Sequence, residues 1–235
     1  MHPEQTNIAA WTAYGDHHLD RRTDVPEPDR LTWGFWPAGP GAEILGEDLT
    51  GRRVLDLGSG TGKYAAYLAR ERGALVDAVD ASPSQHRRAI ERYGHRPGLN
   101  LILSDAVEHL GQADPYDVIY SVHGAAYIDP LRLAPALAAA LAPGGRLILS
   151  VLHTNSQGHG PSTALAPRQE ILPLAGGGRL TVRMWVLTPA LWASLFAPHG
   201  LVIDQVDILR APEDDNPLTC SLLRIHRDAS PAPRC

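Results

Sequence analysis

The chain of 235 residues is poor in lysine, cysteine and phenylalanine, with a single lysine, Lys63, and two residues each of the other types. Its formal net charge is −5 and its basic residues form no cluster. Binding to DNA or RNA requires concentrated positive charge that displaces counterions from the phosphate backbone. We therefore expect no nucleic-acid partner.

The two cysteines, Cys220 and Cys235, are too few for a disulfide framework. The amino end shows neither the basic patch nor the apolar core of a signal peptide, and no segment approaches the roughly 18 uncharged apolar residues of a membrane span. These absences predict a cytoplasmic protein without a membrane partner. The length suits one large α/β domain with its own core.

The most informative motif is the run VLDLGSGTG at residues 54–62, a short apolar strand that leads into three glycines at alternate positions. A helix-prone segment that begins at Lys63 follows directly. A loop without β-carbons lets a ligand lie against the backbone beside the amino end of the next helix. The motif predicts a ligand-binding loop at the end of a buried strand.

Acidic residues follow at the ends of the next two predicted strands. Asp80 closes strand 74–80, 18 residues beyond Gly62, and Asp105 follows strand 99–104. A carboxylate at the first position can accept both hydroxyls of a ribose, and parallel strands place all these ends along one edge of the sheet. Each aspartate alone could instead cap a helix or lie in solvent. Together they favour a crevice for an adenosine-containing ligand.

A nicotinamide dinucleotide is the main alternative ligand for such a loop. Its fingerprint is G-x-G-x-x-G, which cradles a pyrophosphate. The spacing at residues 58–62 is G-x-G-x-G, and no second dinucleotide-binding half follows. The spacing therefore favours a different adenosine-containing cofactor.

Strand and helix patterns alternate along the chain, which predicts a doubly wound, mostly parallel α/β sheet with right-handed crossovers. A glycine-rich turn at residues 175–178 predicts an inserted β-hairpin, formed by residues 170–174 and 179–187. The predicted strands of the sheet lie at 54–57, 74–80, 99–104, 116–122, 145–152, 201–209 and 218–226, and the helices at 61–72, 83–93, 106–110, 130–141 and 189–197.

Five blocks of this pattern, VLDLGSGTG, VDAVDAS, SDAVEHL, YDVIYSV and LAPGGRLILSV, resemble the class I S-adenosylmethionine-dependent methyltransferases over roughly residues 50–227. The resemblance implies a seven-stranded Rossmann-like sheet whose last strand is antiparallel, with S-adenosylmethionine as cofactor and S-adenosylhomocysteine as product. It also implies cofactor contacts from Asp56, Gly58 and Gly60 to the methionine part, from Asp80 to the ribose, and from Ser104, Asp105 and Ala106 to the adenine. The expected cofactor-binding set further includes Ser59, Ala81, Ser121 and His123.

The amino-terminal segment is expected to form a lid. Residues 1–48 precede the predicted core at 49–227 and begin with a helix that carries a partial apolar stripe, and a tail at 228–235 is expected to be disordered. Because the family commonly closes its site with this segment, we predict that Tyr14, Trp33 and Trp36 help to close it, with Tyr14 and Trp33 contacting the cofactor. Plain packing of these rings on the core is the alternative.

Methyl transfer is an in-line displacement that needs alignment of two partners and exclusion of water, with a base only where the acceptor arrives protonated. His123 and His153 follow the fourth and fifth strands at the ligand-binding edge, so they are the candidate bases, with Tyr127 as the orienting group. His17 and His18 are expected to be exposed. No residues have metal-ligand spacing, and no metal is expected.

These observations predict a bacterial methyltransferase that acts on an oxygen or nitrogen of a small molecule or short peptide in secondary metabolism, as a monomer or homodimer. Carbon or sulfur acceptors stay open. The same motifs would also serve a protein that binds the cofactor without methyl transfer, or an aminopropyl transferase. The latter would need more acidic residues than the Asp129 that follows the fourth strand.

Overall fold

The computed structural model of the protein describes residues 3–213 and 215–228. Residues 229–235 of the predicted tail, with Cys235, lie outside the described residues. The first half of the core alternates strands and helices as predicted. It consists of β1 (Arg53–Leu57), α2 (Lys63–Arg72), β2 (Leu75–Asp80), α3 (Pro83–Tyr93), β3 (Leu99–Leu103), α4 (Ala106–Leu110) and β4 (Tyr116–Val122), preceded by helix α1 (Pro3–Asp20).

The second half contains the remaining strands and an inserted hairpin. It consists of α5 (Pro130–Ala140), β5 (Leu141–Thr154), β6 (Arg168–Pro173), β7 (Arg179–Met184), α6 (Pro189–Phe196), β8 (Leu201–Arg210) and β9 (Thr219–Arg227). Strand β5 begins earlier than residue 145, because Leu141 already pairs with Tyr116 before the register shifts towards residue 118. Gly144 and Gly145 therefore lie within the strand.

Seven strands form one sheet in the order β3-β2-β1-β4-β5-β9-β8. The first five are parallel, and β9 runs antiparallel to both β5 and β8. This confirms the predicted doubly wound, Rossmann-like sheet with an antiparallel last strand. Strands β6 and β7 form the predicted antiparallel hairpin as a separate two-stranded sheet.

Both faces of the sheet are covered. Helices α4, α5 and α6 pack on one face, where Trp192 and Phe196 are fully buried. Helix α2 and the segment after α1 cover the other face, where Trp33, Leu45 and Leu49 join the strand residues Val54 and Tyr120. With both faces covered, a ligand can reach the sheet only at its edges. Because the first five strands are parallel, their carboxyl ends lie along one edge, and the ligands of such sheets bind there.

Helix α1 lies between α3 on one side and β7 on the other. The buried Asn7 amide donates to the carbonyls of Tyr127 (2.9 Å) and Arg183 (2.8 Å), and its oxygen accepts from the Arg183 amide (2.7 Å). One turn earlier, Glu4 accepts from the amide of Asp129 and from Arg132. These contacts hold α1 on the segment between β4 and α5.

The face of α1 that is buried differs from the predicted apolar stripe. Its buried residues are Glu4, Asn7, Ala10 and Gly15, whereas Trp11 and Tyr14 stay partly exposed. The reason is that α1 docks through hydrogen bonds and through a close approach to α3. There, Ser84 Oγ donates to the carbonyl of Thr12 at 2.6 Å.

The approach at Gly15 makes a specific prediction. A β-carbon at Gly15 would lie 2.1 Å from Ser84 Oγ, so Gly15→Ala cannot be accommodated without a shift. Although alanine favours helix by about 1 kcal/mol, we expect a loss of about 1 to 3 kcal/mol in the docking of α1. Hydrogen exchange of residues 3–20 should accelerate.

The double variant Gly15→Ala/Ser84→Gly is the matched control, because it removes the clashing hydroxyl and should recover part of the protection. Unchanged or slower exchange of α1 in the single variant would contradict the docking geometry.

Candidate functional site

The loop between β1 and α2 turns through three glycines with left-handed backbone angles. Their φ values are +75° at Gly58, +56° at Gly60 and +71° at Gly62. A β-carbon at Gly58 would come within 2.8 Å of the Cα of Gly124, whereas one at Gly60 would meet nothing within 4 Å. The loop therefore touches the β4 loop at Gly58 and leaves open space above Gly60.

Asp80 joins the end of β2 to this loop. One carboxylate oxygen accepts from the Gly60 amide and the other from the Ser82 amide, both at 2.8 Å. The carbonyl of Val79 accepts from the amides of Gly58 (2.9 Å) and Ser59 (3.0 Å). Burial raises the pKa of Asp80, which these amide bonds oppose. Ala81 follows directly, at the turn into α3.

Asp56, on β1, is the most deeply buried carboxyl at this edge, with 3 % of its surface exposed. Burial raises its pKa from the ordinary value of 3.8 to about 7, and the nearby Asp80 also acts in that direction. A carboxyl with this pKa is half protonated at neutral pH. A cationic ligand group would favour its ionised form.

The end of β3 carries Ser104, Asp105 and Ala106 in adjacent positions. The Ser104 amide donates to the carbonyl of Asp80 (3.2 Å), which places the two strand ends side by side. Asp105 caps α4, because its Oδ1 accepts from the amides of Val107 (2.9 Å) and Glu108 (3.0 Å). This is the helix-cap role weighed as the alternative, and it leaves Oδ2 without a donor in the described part of the chain.

The β4 end is fixed by Ser121, whose hydroxyl donates to the carbonyl of Leu57 (2.7 Å) and accepts from the Ala125 amide (2.9 Å). His123 follows with a left-handed φ of +66°, a strained value for a residue with a β-carbon. Its ring stacks on Phe35 at a centroid distance of 4.3 Å. Burial, assisted by the charge of Lys63, lowers its pKa to about 4, so the imidazole is neutral.

Trp11 and Tyr14 lie on helix α1, and Tyr127 lies in the segment after β4. Trp11 contacts both tyrosines. The Trp11 ring makes edge contacts with Tyr14 (5.1 Å between centroids) and with Tyr127 (5.5 Å). Burial raises the pKa of Tyr127, which keeps its phenol protonated. Helix α1 thus presents an aromatic cluster to the segment after β4.

His153 lies near the end of β5, and its Nδ1 is 2.8 Å from the hydroxyl of Ser221 on β9. Burial lowers its pKa. One ring nitrogen of His153 is therefore already engaged within the protein, unlike those of His123.

Trp33 occupies a different place from the one predicted. Its indole has no exposed surface, donates to the carbonyl of Gly41 (3.0 Å) and packs against Tyr120 in the core. This position corresponds to plain packing and leaves the ring no surface for the cofactor. Trp36 is partly buried beside Phe35.

His17 and His18 are not the exposed residues that the sequence predicted. Both are partly buried on α1, and His17 Nε2 and His18 Nδ1 are inaccessible to solvent. Burial lowers the pKa of His18, and the charge of Arg88 acts in the same direction. The prediction was wrong because the end of α1 is not free: His18 packs against Tyr14 at 4.5 Å between ring centroids and lies near Arg88 of α3.

Sequence patterns gave no signal for several residues at this edge. Asn7, Glu4 and Arg132 are polar residues that anchor helix α1, and Phe35 lies in the loop after α1, next to Trp36. The apolar run around Phe35 suggested a covered ring, but the structure leaves 54 % of Phe35 exposed, with one face stacked on His123.

Several unpaired buried polar atoms lie at the carboxyl edge of the sheet and on helix α1. Within residues 3–213 and 215–228, seven buried side-chain nitrogens and oxygens have no hydrogen-bond partner. They include both ring nitrogens of His123. Because such atoms are costly, a polar ligand is their natural partner. With the open space above Gly60, the residues fit an adenosine cofactor that carries an amino-acid group.

The opposite edge of the sheet holds two surface depressions of about 270 and 280 Å³. Arg53, Asp77 and Asn100 line the first, and the second lies between residues 45–52 and 143–146. Neither contains a residue of the predicted site. Across the described ranges, no set of three or more histidine, cysteine and acidic residues could hold a metal ion, and no helix is long and apolar enough to cross a membrane.

The sequence profile of a protein family described as a methyltransferase domain matches residues 37–206. Among similar proteins, the methyltransferase GfsG of Streptomyces halstedii is 33 % identical over 141 residues, which are 52 % of this chain and 50 % of GfsG. A ubiquinone biosynthesis O-methyltransferase of Xylella fastidiosa is 36 % identical over 150 residues, 57 % of this chain and 60 % of the relative. The chain thus matches about half to three fifths of their lengths.

Solved structures with the same fold include a 1,6-didemethyltoxoflavin-N1-methyltransferase of Burkholderia thailandensis with bound S-adenosylhomocysteine. Its TM-score is 0.51 at 18 % identity, with 76 % of this chain and 72 % of that chain covered. The [4+2]-cyclase SpnF is also similar, with a TM-score of 0.59 at 15 % identity and coverage of 80 % and 79 %. At these identities the likeness extends to the fold.

The raised pKa of Asp56 predicts pH-dependent cofactor binding. If Asp56 binds the cofactor's ammonium group, it must be ionised, and in the free protein it loses its proton near pH 7. Affinity for S-adenosylhomocysteine should therefore rise by about tenfold between pH 6 and pH 8 and then level off. Calorimetric titration over this range tests the expectation.

The variant Asp56→Asn serves as the control. It should bind more weakly at pH 8 and show no such rise, since its amide does not titrate. An equal pH dependence in both proteins would exclude Asp56 as the titrating group.

The contacts of Asp80 predict a loss of cofactor affinity in Asp80→Ala. The change removes the proposed acceptor of the ribose hydroxyls and the anchor of the Gly60 amide, contributions of roughly 1 to 3 kcal/mol each. We expect the dissociation constant for S-adenosylhomocysteine to rise at least about tenfold, with the circular dichroism spectrum retained. Asp114→Ala, in the exposed loop before β4, should bind like wild type. Unchanged affinity in Asp80→Ala would refute this assignment.

Proposed function

The chain belongs to the methyltransferase-domain family, and from that premise we propose that it moves the methyl group of S-adenosylmethionine to a small molecule or short peptide. The observation that carries the proposal is the arrangement at the edge of β1, β2 and β4. There the left-handed glycine loop is tied to Asp80, touches the β4 loop at Gly124 and lies close to the orphaned ring of His123.

The proposed cofactor contacts follow this arrangement. We assign Asp56, Gly58, Ser59 and Gly60 to the methionine side, Asp80 and Ala81 to the ribose, and Ser104, Asp105 and Ala106 to the adenine. Ser121 acts by holding the β4 loop against Leu57, and Tyr14 covers the crevice from α1.

S-adenosylmethionine, when bound, supplies the electrophilic methyl group, so the protein has to align the acceptor and exclude water. Helix α1 excludes water by lying across the segment after β4, where Asn7 fixes it. His123 is neutral, and neither of its ring nitrogens has a partner, so it can accept a proton from the acceptor. The protonated phenol of Tyr127 is the orienting donor.

Oxygen or nitrogen is the proposed acceptor atom. The name of the Xylella fastidiosa relative, an O-methyltransferase of ubiquinone biosynthesis, supports oxygen. Both sequence relatives described above are bacterial, which supports a bacterial biosynthetic role, and we propose secondary metabolism. Carbon and sulfur remain alternatives at the same site.

We further propose a cytoplasmic protein that acts as a monomer or homodimer. Cys220 is a free, buried thiol, which suits a reducing compartment.

The second candidate function is cofactor binding without methyl transfer. The observation that favours it is the likeness to the [4+2]-cyclase SpnF, since the same fold serves a protein named for a cyclisation. Turnover distinguishes the two functions, because both require the cofactor site.

Calorimetric titration with S-adenosylhomocysteine, followed by NAD in the same cell, tests the cofactor. We expect micromolar binding of the former and none of the latter. Release of S-adenosylhomocysteine from S-adenosylmethionine is then measured against panels of phenols, amines and thiols. Binding without release for any acceptor class would favour the second function.

The position of His123 predicts a specific loss of turnover once an acceptor is known. His123→Ala should lower kcat by at most about a hundredfold, the lower end of general-base catalysis, because its low pKa makes the imidazole a weak base. The loss should shrink at high pH, where the acceptor ionises unaided. Since the pKa of His123 is about 4, the wild-type rate should not fall between pH 8 and pH 6 through this group.

His153→Ala is the matched control, with an expected loss of less than about threefold, because Ser221 already engages its ring. If His153→Ala shows the larger loss, the base is His153. If the loss in His123→Ala follows cofactor affinity alone, His123 has only a structural role.

A further inference from the structure

The only lysine of the chain, Lys63, lies directly beside the glycine loop. It is the first residue of α2 and follows Gly62, the third glycine of the loop. A cation at this end of a helix opposes the helix dipole, which is positive there, so the position is unfavourable for helix stability. No acidic residue in the first turn of α2 compensates for it. Its placement therefore calls for an explanation other than helix stability.

The ammonium group of Lys63 has a defined position. Its Nζ lies over the Tyr64 ring, 4.6 Å from the centroid, and the Tyr64 hydroxyl is hydrogen-bonded to Thr32 Oγ1. Within residues 3–213 and 215–228, no carboxylate lies within 4.0 Å of Nζ. A cation–π contact positions the charge but leaves its hydrogen-bond donors available.

Lys63 also lies near His123. Its charge acts on the His123 ring, whose two buried nitrogens have no partner. Between the two residues, Gly58 and Gly124 bring the β1 and β4 loops into backbone contact. A free cation and an orphaned imidazole thus flank the junction of β1 and β4.

Asp56 and Asp80 are the acidic groups beside the glycine loop, and Asp105 at the next strand end already pairs with Arg132 at 3.5 Å. These carboxylates suit hydroxyl, amino and ammonium groups, but they would repel the carboxylate that an amino-acid group also carries. Because the amine and the carboxylate of an amino acid share one carbon, a cation that binds the carboxylate must lie close to Asp56. Lys63, at the start of α2, is a cation in this part of the crevice.

We propose that Lys63 binds the α-carboxylate of the cofactor's methionine part and selects for cofactors that carry it. The proposal rests on the proposed function. Asp56 and Lys63 would then recognise opposite charges of one zwitterion, with Tyr64 holding the lysine in place.

The test compares two ligands in calorimetric titrations of the full chain. S-adenosylhomocysteine carries the carboxylate, and its decarboxylated analogue carries only the amine. Wild type should prefer the former by about ten- to a hundredfold, the range of a charge-assisted hydrogen bond. Lys63→Met should lose most of this preference by binding S-adenosylhomocysteine more weakly. Its affinity for the analogue should be unchanged, and Lys63→Arg should retain the preference.

Equal losses for both ligands in Lys63→Met would overturn the proposal, because they would indicate a structural effect on the loop. An unchanged preference would overturn it as well. If folded wild type binds neither ligand, the proposed function itself fails. That result is distinct from binding of both ligands without preference, which refutes only the role of Lys63.

A second experiment uses the fact that the chain has one lysine. Reductive methylation followed by mass spectrometry reports on Lys63, with the amino-terminal amine as an internal reference. S-adenosylhomocysteine should slow labelling of Lys63 at least about tenfold without affecting the reference. Methylthioadenosine, which lacks the amino-acid group, should not protect. Equal protection by both ligands would show that the adenosine part alone shields Lys63 and would overturn the proposal.

Discussion

The contact between the β1 and β4 loops is the constraint on which the rest of the site depends. Gly58 and Gly124 approach so closely that a β-carbon on either would overlap the other's backbone. Ser121 closes the same junction by donating to the Leu57 carbonyl. Because this contact fixes the β1 loop against the β4 loop, it sets the distance between Asp56, the start of α2 and His123. A site for a zwitterionic ligand needs such fixed separations, since charge recognition falls off steeply with misplacement.

The electrostatics of the crevice follow from this close packing. Asp56 and Asp80 lie near each other in a buried environment, and each has a raised pKa. An aspartate with a raised pKa contributes stability at low pH, and for Asp56 that contribution is lost as the pH rises from about 4 to about 7. The fold therefore tolerates a carboxyl that destabilises the free protein near neutral pH. A cationic group beside Asp56 would reverse this cost, so the site gives up stability in exchange for binding.

Sequence patterns predicted the sheet well because buried parallel strands are short apolar runs. The candidate cofactor-binding residues were found at the ends of these runs. Asp80 and Asp105 were located by strand ends alone. The residues of the lid could not be located in this way. The buried face of α1 is formed by polar and small residues such as Asn7, whose partner Arg183 lies 176 positions away along the chain. Apolar periodicity carries no information about such polar contacts. Trp33 was misplaced for a different reason, because the resemblance assigned it to the lid while its ring packs in the core against Tyr120.

The polar docking of α1 is itself informative about function. A helix that buried Trp11 and Tyr14 completely would gain roughly 1.5 to 3 kcal/mol for each ring and would remain closed. Hydrogen bonds such as those of Asn7 contribute only about 1 kcal/mol each in net terms, because water replaces them when the helix leaves. Helix α1 is therefore held less tightly than an apolar interface of the same size would hold it, which suits the lid role that we propose for it. At the same time, the hydrogen bonds of Asn7 and the close approach at Gly15 define one docked position of the helix, in which Trp11 lies against Tyr127.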